Sequence, residues 1–126
     1  MPPQFTPADA NRTLPLVKRI VDDILSKGRE LQRIAPDQSK QEVGDRMWAL
    51  EHELRDHLVE LQDIGCSFKD FGFQMGLVDF PGEIDGEKVL FCWRSDEPAV
   101  THYHGYADGY AGRREIPAAL LEGVDV

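Results

Sequence analysis

The side chains best suited to chemistry in this 126-residue sequence are concentrated between Gly76 and Ile116. The segments GLVDFP, FCWR, THYH and DGYAGRR hold more acidic, basic, imidazole, thiol and aromatic groups than a packing core requires. These residues are Asp79, Cys92, Trp93, Arg94, His102, Tyr103, His104, Asp108, Arg113 and Arg114. The candidate site lies here, although no segment matches a motif with a known reaction.

A metal site is one interpretation of His102 and His104. Residues two apart on a β-strand project from one face, so both imidazoles can meet one Zn²⁺, Fe²⁺ or Mn²⁺ ion. Such a site needs further donors, for which the candidates are Asp79, Cys92, Asp108 and His57. The alternative, which the sequence favours, is that the two histidines form ordinary hydrogen bonds in an aromatic surface.

An anion site is the second interpretation, and it centres on Arg113 and Arg114. Two guanidinium groups behind the glycine-containing segment 109–112 can receive a carboxylate or a phosphate. Trp93, His104 and Asp108 complete the predicted ligand-binding set. The arginines can equally pair with nearby carboxylates and hold the loop on the sheet, and the sequence leaves both roles open.

Cys92 is expected to behave as a small apolar residue, because no second cysteine or base stands beside it in the sequence. A fold that brings His104 within hydrogen-bond reach of Cys92, with Asp79 or Asp108 orienting the ring, would reverse that expectation.

Bulk composition narrows the classes of partner. The net charge of −9 opposes binding to nucleic acid or anionic lipid, and no apolar run is long enough to cross a bilayer. Two cysteines are too few for a disulfide scaffold, and the N-terminus has no signal-peptide pattern. We therefore expect a cytoplasmic protein with one domain, residues 1–126.

Two long helices account for the first half of the chain. A first helix is predicted from Pro7 to the turn at Pro36, and a second ends at Gly65, together forming an antiparallel hairpin over about residues 7–64. Apolar residues outside the shared seam need a sheet or another subunit to cover them, so we expect a homodimer. They are Leu16, Ile20, Leu25, Trp48 and Leu58.

The second half of the chain has the pattern of strands. Short β-branched and aromatic runs at 77–80, 89–93 and 99–104 are separated by turn residues and predict a three-stranded antiparallel sheet. A short strand at 67–71 is an option. The β-rich region spans about 67–116, and an irregular tail follows at 117–126. The predicted class is α+β, with the helical hairpin packed on the sheet.

The opening FTPADANRTLPLV and the blocks GLVDFP, FCWR, His104 and GYAGRR together resemble the small bacterial family catalogued as domain of unknown function 2203. That family usually has another aromatic residue where this chain has His102, and an acidic residue where it has Gly105. The comparison points to His104 as the functional histidine. The resemblance implies a soluble bacterial protein and supplies no reaction, since the family is uncharacterised.

Two functional hypotheses follow from the sequence. The first, which we place ahead, is an interaction module or a module that binds a small anionic ligand or a partner protein. The second is an enzyme of unknown substrate, assisted by a divalent metal, with His104 as ligand or base, Asp108 or Asp79 as the acidic group, and Arg113 as the substrate clamp.

Overall fold

A computed structural model describes residues 4–121 of the chain. The described part consists of two helices followed by a five-stranded sheet, with one 3₁₀ turn between the helices, one between the last two strands and one after the sheet. The helices are α1 (Pro7–Ile34) and α2 (Gln41–Ile64), the strands are β1 (Ser67–Phe68), β2 (Leu77–Ile84), β3 (Glu87–Arg94), β4 (His102–Gly105) and β5 (Arg114–Glu115), and the turns are Ala35–Asp37, Tyr110–Gly112 and Ala118–Leu121.

The α+β class is confirmed, whereas the predicted number of strands is wrong. The sheet has five antiparallel strands in the order β1-β2-β3-β4-β5. The three predicted strands form its centre. The outer strands β1 and β5 are two residues long, too short to show an alternating pattern in the sequence. Of the predicted tail, residues 122–126 lie outside the described residues.

The third predicted strand begins later than expected, because a helix side chain takes the place of a neighbouring strand. The Asn11 side-chain carbonyl accepts from the Val100 N–H at 2.8 Å, and its amide donates to the Val100 carbonyl at 3.0 Å. This buried pair ties α1 to the segment that precedes β4.

The start of α1 and the end of α2 lie where the sequence signals predict them. Thr6 accepts from the Asp9 N–H at 3.0 Å, and the Asp9 carboxylate accepts from the Thr6 N–H at 3.1 Å, so α1 begins with a capping box. α2 ends at Gly65, whose φ of 110° lies in the left-handed region that glycine adopts without a steric cost.

The two helices are linked by polar contacts as well as by apolar packing. Arg46 of α2 donates to both oxygens of Glu30 in α1, at 2.8 and 3.0 Å. Lys27 donates to the His57 Nε2 atom at 3.0 Å, so Nδ1 of that ring carries the hydrogen that reaches Glu60 at 2.9 Å. His57 therefore has a structural partner on each ring nitrogen and lies apart from the candidate site.

The core lies between α1 and the inner face of the sheet. α1 has ten buried residues, whereas α2 has three, so α1 is the central helix of the core. The sheet contributes Val78, Phe80, Val89, Phe91 and Trp93. None of the helices within residues 4–121 has a stretch both long and apolar enough to span a membrane.

The sheet covers part of the surplus apolar surface of the helices. Ile20 and Leu25 are buried, whereas Leu16 and Trp48 remain 44% and 64% exposed. The Trp48 ring lies on the His52 ring, with centroids 3.8 Å apart. The homodimer stays a prediction, which sedimentation can test against the monomer mass of 14.3 kDa.

Candidate functional site

The outer face of the sheet, turned away from the helices, carries the candidate site. Asp79 of β2 pairs directly with Cys92 of β3, and His104 of β4 pairs with Leu90 of β3. Side chains that pair across antiparallel strands share a face, and every second residue along a strand returns to it. The register therefore places the carboxylate, the thiol and the imidazole side by side.

These three side chains are buried although they lie on the outer face. Asp79, Cys92 and His104 are 4%, 2% and 3% exposed. The segment 106–113, which we call the roof, crosses this side of the sheet. Beneath it is a pocket of about 330 Å³ lined by Lys69, Leu77, Asp79, Leu90, Cys92, His104, Tyr106, Gly109 and Tyr110.

Both ring nitrogens of His104 face oxygen atoms. Nδ1 lies 2.8 Å from the Gly105 carbonyl oxygen, which can only accept, so Nδ1 carries a hydrogen. Nε2 lies 3.0 Å from Oδ1 of Asp79. In a neutral imidazole that nitrogen presents a lone pair to a carboxylate oxygen. Either an additional proton or a cation must lie between these two acceptors.

The Cys92 thiol completes the group. One donor atom each from Asp79, Cys92 and His104 can be chosen such that all three lie within 4.8 Å of one another. Burial, reinforced by the negative charge of Asp79, raises the pKa of the Cys92 thiol to about 12. The two His104 nitrogens face Gly105 and Asp79, so the imidazole forms no hydrogen bond with the Cys92 thiol, and the arrangement that would make Cys92 a nucleophile is not formed.

Two arginines hold the roof over the pocket. Arg94 donates to the Tyr110 hydroxyl, and the Arg113 guanidinium lies 5.1 Å from the centre of the Tyr110 ring. Arg113 in turn donates to Glu97 at 2.6 Å and to the Cys92 main-chain carbonyl at 3.1 Å. Tyr110 is thus fixed as one wall of the pocket.

Trp93 does not share the predicted site, because it lies on the face of the sheet opposite to Cys92. It is buried in the core beside the helices, and its indole N–H donates to the Glu97 carbonyl at 2.9 Å. Neighbouring strand residues point to opposite faces, so Trp93 and Cys92 could not both face His104.

The two histidines of the predicted metal pair have different hydrogen-bond partners. His102 faces Thr101 at 2.9 Å and Glu97 at 3.5 Å, whereas His104 faces Asp79. The imidazoles lie on one face as expected. The group with metal-ligand spacing contains His104 and not His102, because the His102 ring contacts Glu97 and Thr101 instead.

Asp108 is an exposed residue of the roof, and Arg114 is the exposed first residue of β5. The Asp108 carboxylate accepts from the Gly105 N–H at 3.2 Å and lies 4.0 Å from Arg114. It fills the space beside Gly105, where a Cβ atom would come within 2.7 Å of its oxygen. Arg114 itself lies over the Tyr103 ring at 5.0 Å. Neither residue lines the pocket that contains His104.

Lys69, Leu77 and Leu90 line the pocket but were not among the predicted site residues. Lys69 follows β1, and its N–H donates to the Leu77 carbonyl at 2.8 Å, which places it at the pocket wall. The option of a short strand at 67–71 is the one sequence signal that points to Lys69, since that strand must pair with β2.

Fold and site together define the class of this protein: an α+β domain with a buried carboxylate, thiol and imidazole beneath a roofed pocket. The chain belongs to the family described as uncharacterized conserved protein, DUF2203, whose model matches residues 4–116. The resemblance drawn from the sequence blocks is thereby confirmed. No curated protein and no solved structure matches the chain.

Proposed function

We propose that this protein binds one divalent metal ion through Asp79, Cys92 and His104. The observation that carries the proposal is the convergence of three different donor side chains, all buried, on the floor of one pocket. A metal ion between Nε2 of His104 and Oδ1 of Asp79 also relieves the contact between two acceptors. The Gly105 carbonyl fixes the His104 tautomer that leaves Nε2 free to bind the metal.

The donor set favours Zn²⁺, with Fe²⁺ next. A thiolate is a soft ligand that Mn²⁺ and Mg²⁺ bind poorly, whereas Zn²⁺ accepts sulfur, nitrogen and oxygen donors together. Zinc bond lengths place tetrahedral ligand atoms about 3.3–3.6 Å apart, so movements of about 1 Å suffice to close the group. Burial and, after it, the charge of Asp79 keep the pKa of the Cys92 thiol high, and a bound cation would offset both effects by favouring the thiolate.

Three protein ligands would leave a fourth position on the ion, and because all three side chains line the pocket, that position would be open to it. Sites with an open position bind a water molecule or a ligand atom, unlike structural sites with four protein ligands. This favours a second candidate, the metal-assisted enzyme, in which His104 acts as a ligand and not as a base. Hydrolysis of 4-nitrophenyl acetate that requires zinc and is lost in His104→Ala would support it, and equal rates with and without zinc would refute it.

Metal analysis of the untagged protein, purified without chelator and then loaded with Zn²⁺, tests the metal proposal. We expect one zinc per chain in the wild type and in two control variants, His102→Ala and Cys66→Ser. We expect less than a tenth of that amount in His104→Ala and Cys92→Ser. Each control removes the same type of donor from a position outside the group.

Cobalt substitution adds a spectroscopic test of the thiolate bond. The Co²⁺ form of the wild type should show a sulfur-to-metal charge-transfer band that Cys92→Ser lacks and Cys66→Ser retains. Equal zinc in all four variants, or a wild type without zinc after loading, would overturn the proposal. In that case an additional proton occupies the space between His104 and Asp79.

A further inference from the structure

We propose that the pocket takes a small organic carboxylate, and that Lys69 selects it. This inference rests on the proposed metal site and names the ligand class that the site admits. Lys69 is the one cationic side chain among the pocket-lining residues, which also include Asp79 as the one carboxylate. Within residues 4–121, Lys69 forms no ion pair within 4.0 Å.

The charge of the loaded pocket is positive. A divalent ion is neutralised by the Asp79 carboxylate and the Cys92 thiolate, and the Lys69 ammonium then leaves one positive charge. Charge neutrality therefore favours a ligand with a single negative charge. A carboxylate meets this requirement and supplies an oxygen for the open metal position.

The side chains that line the pocket indicate the chemistry of the ligand's remaining part, beyond its carboxylate. Leu77 and Leu90 of the sheet contribute apolar surface to the pocket, and Tyr106 and Tyr110 of the roof line it as well. The Tyr110 hydroxyl is already engaged by Arg94, which leaves few groups for a heavily hydroxylated ligand. At about 330 Å³ the pocket is at the small end of ligand sites. Its volume and its lining residues suit a ligand with a short apolar or aromatic body.

Phosphate fits this pocket less well than carboxylate does. A phosphate dianion is usually held by several main-chain N–H groups or by a guanidinium fork. Here Arg113 already bonds Glu97 and Cys92, and Arg114 lies outside the pocket. The single Lys69 ammonium balances one negative charge, and it lacks the planar fork with which a guanidinium binds phosphate in a bidentate manner.

Calorimetric titration of the zinc-loaded protein tests the ligand class with benzoate as the probe. Benzamide is the neutral probe of nearly the same shape, and inorganic phosphate is the competing anion. We expect saturable benzoate binding, at least tenfold weaker binding of benzamide and of phosphate, and at least tenfold weaker benzoate binding by Lys69→Met. The Lys88→Met variant is the matched control, because Lys88 is an exposed lysine on another part of the surface.

The same experiment separates this inference from the metal proposal. Lys69→Met should retain one zinc per chain, so its loss of benzoate binding cannot result from loss of metal. Absence of benzoate binding at millimolar concentration, unchanged binding in Lys69→Met, or tighter binding of phosphate would each overturn the carboxylate inference while the zinc content stands. A wild type that binds no zinc would overturn the metal proposal itself, and the separately measured zinc content therefore shows which of the two proposals has failed.

Discussion

The Arg113 guanidinium joins the Glu97 carboxylate, at 2.6 Å, to the main-chain carbonyl of Cys92, at 3.1 Å. Both side chains of the ion pair are nearly buried, at 11% and 13% exposure. The arginine that the sequence offers as a substrate clamp is therefore occupied within the fold. Its contacts connect the roof to the strand that carries the thiol, so its effect on the pocket is one of positioning.

Replacing Arg113 by methionine should destabilise the protein by about 1–3 kcal/mol, because the nearly buried Glu97 carboxylate loses its charged partner and keeps the weaker bond from the Arg94 main-chain N–H at 2.7 Å. Arg114→Met is the matched control. Arg114 is 63% exposed and lies 4.0 Å from Asp108, so its loss should change the free energy of unfolding by less than about 0.5 kcal/mol. Urea denaturation measures both, and equal effects would contradict the positioning role.

Asn11 should be as important to the fold as a large core residue. Asn11→Ala leaves the N–H and the carbonyl of Val100 without their partner in a buried position. We expect a loss of about 2–4 kcal/mol, since each unsatisfied buried group costs about 1–3 kcal/mol. Thr13→Ala removes a side-chain bond to the Asp9 carbonyl within the same helix and should cost much less. Similar losses of unfolding free energy would refute this account.

Part of the site geometry can be derived from the sequence through one turn. Asp85 and Gly86 have φ values of 52° and 82°, as in the two-residue hairpin turns that Asp-Gly favours. Such a turn pairs Ile84 with Glu87, and counting five residues back and five forward pairs Asp79 with Cys92. The relative placement of two of the three buried side chains, Asp79 and Cys92, therefore follows from a local signal.

The position of His104 relative to Asp79 and Cys92 cannot be derived from a local turn in the sequence. The connection between β3 and β4 spans residues 95–101, and its length does not determine a register. The pairing of His104 with Leu90 depends on tertiary contacts such as the Asn11–Val100 bonds, which link residues 89 positions apart. Lys69 was missed for a related reason, since a two-residue strand has no period.

Substitution by alanine should change the stability of the protein in opposite directions at two helical glycines. At Gly28 a Cβ atom would lie 2.2 Å from Cγ of Phe73, a residue held at φ 58° whose carbonyl accepts from Arg29 at 3.0 Å. Gly28→Ala should therefore destabilise the protein by about 1–3 kcal/mol. At Gly44 a Cβ atom would have only the Gln38 carbonyl oxygen nearby, at 3.7 Å, so Gly44→Ala should stabilise the protein by about 0.5–1 kcal/mol. Thermal and urea unfolding check the two signs, and a stabilising Gly28→Ala would show that Phe73 moves aside freely.

Alkaline pH should weaken the fold through Cys66. Burial raises the pKa of this thiol to about 12, whereas in an unfolded chain it is about 8.5. Above about pH 8.5 the unfolded state binds fewer protons than the folded state, so stability falls as the pH rises, by at most about 1.4 kcal/mol per pH unit. Cys66→Ala removes this contribution, and its free energy of unfolding should decline less steeply than that of the wild type between about pH 8.5 and pH 10. Urea titrations of chelator-treated protein measure the two slopes, and parallel slopes would mean that Cys66 ionises in the folded state as readily as in the unfolded chain.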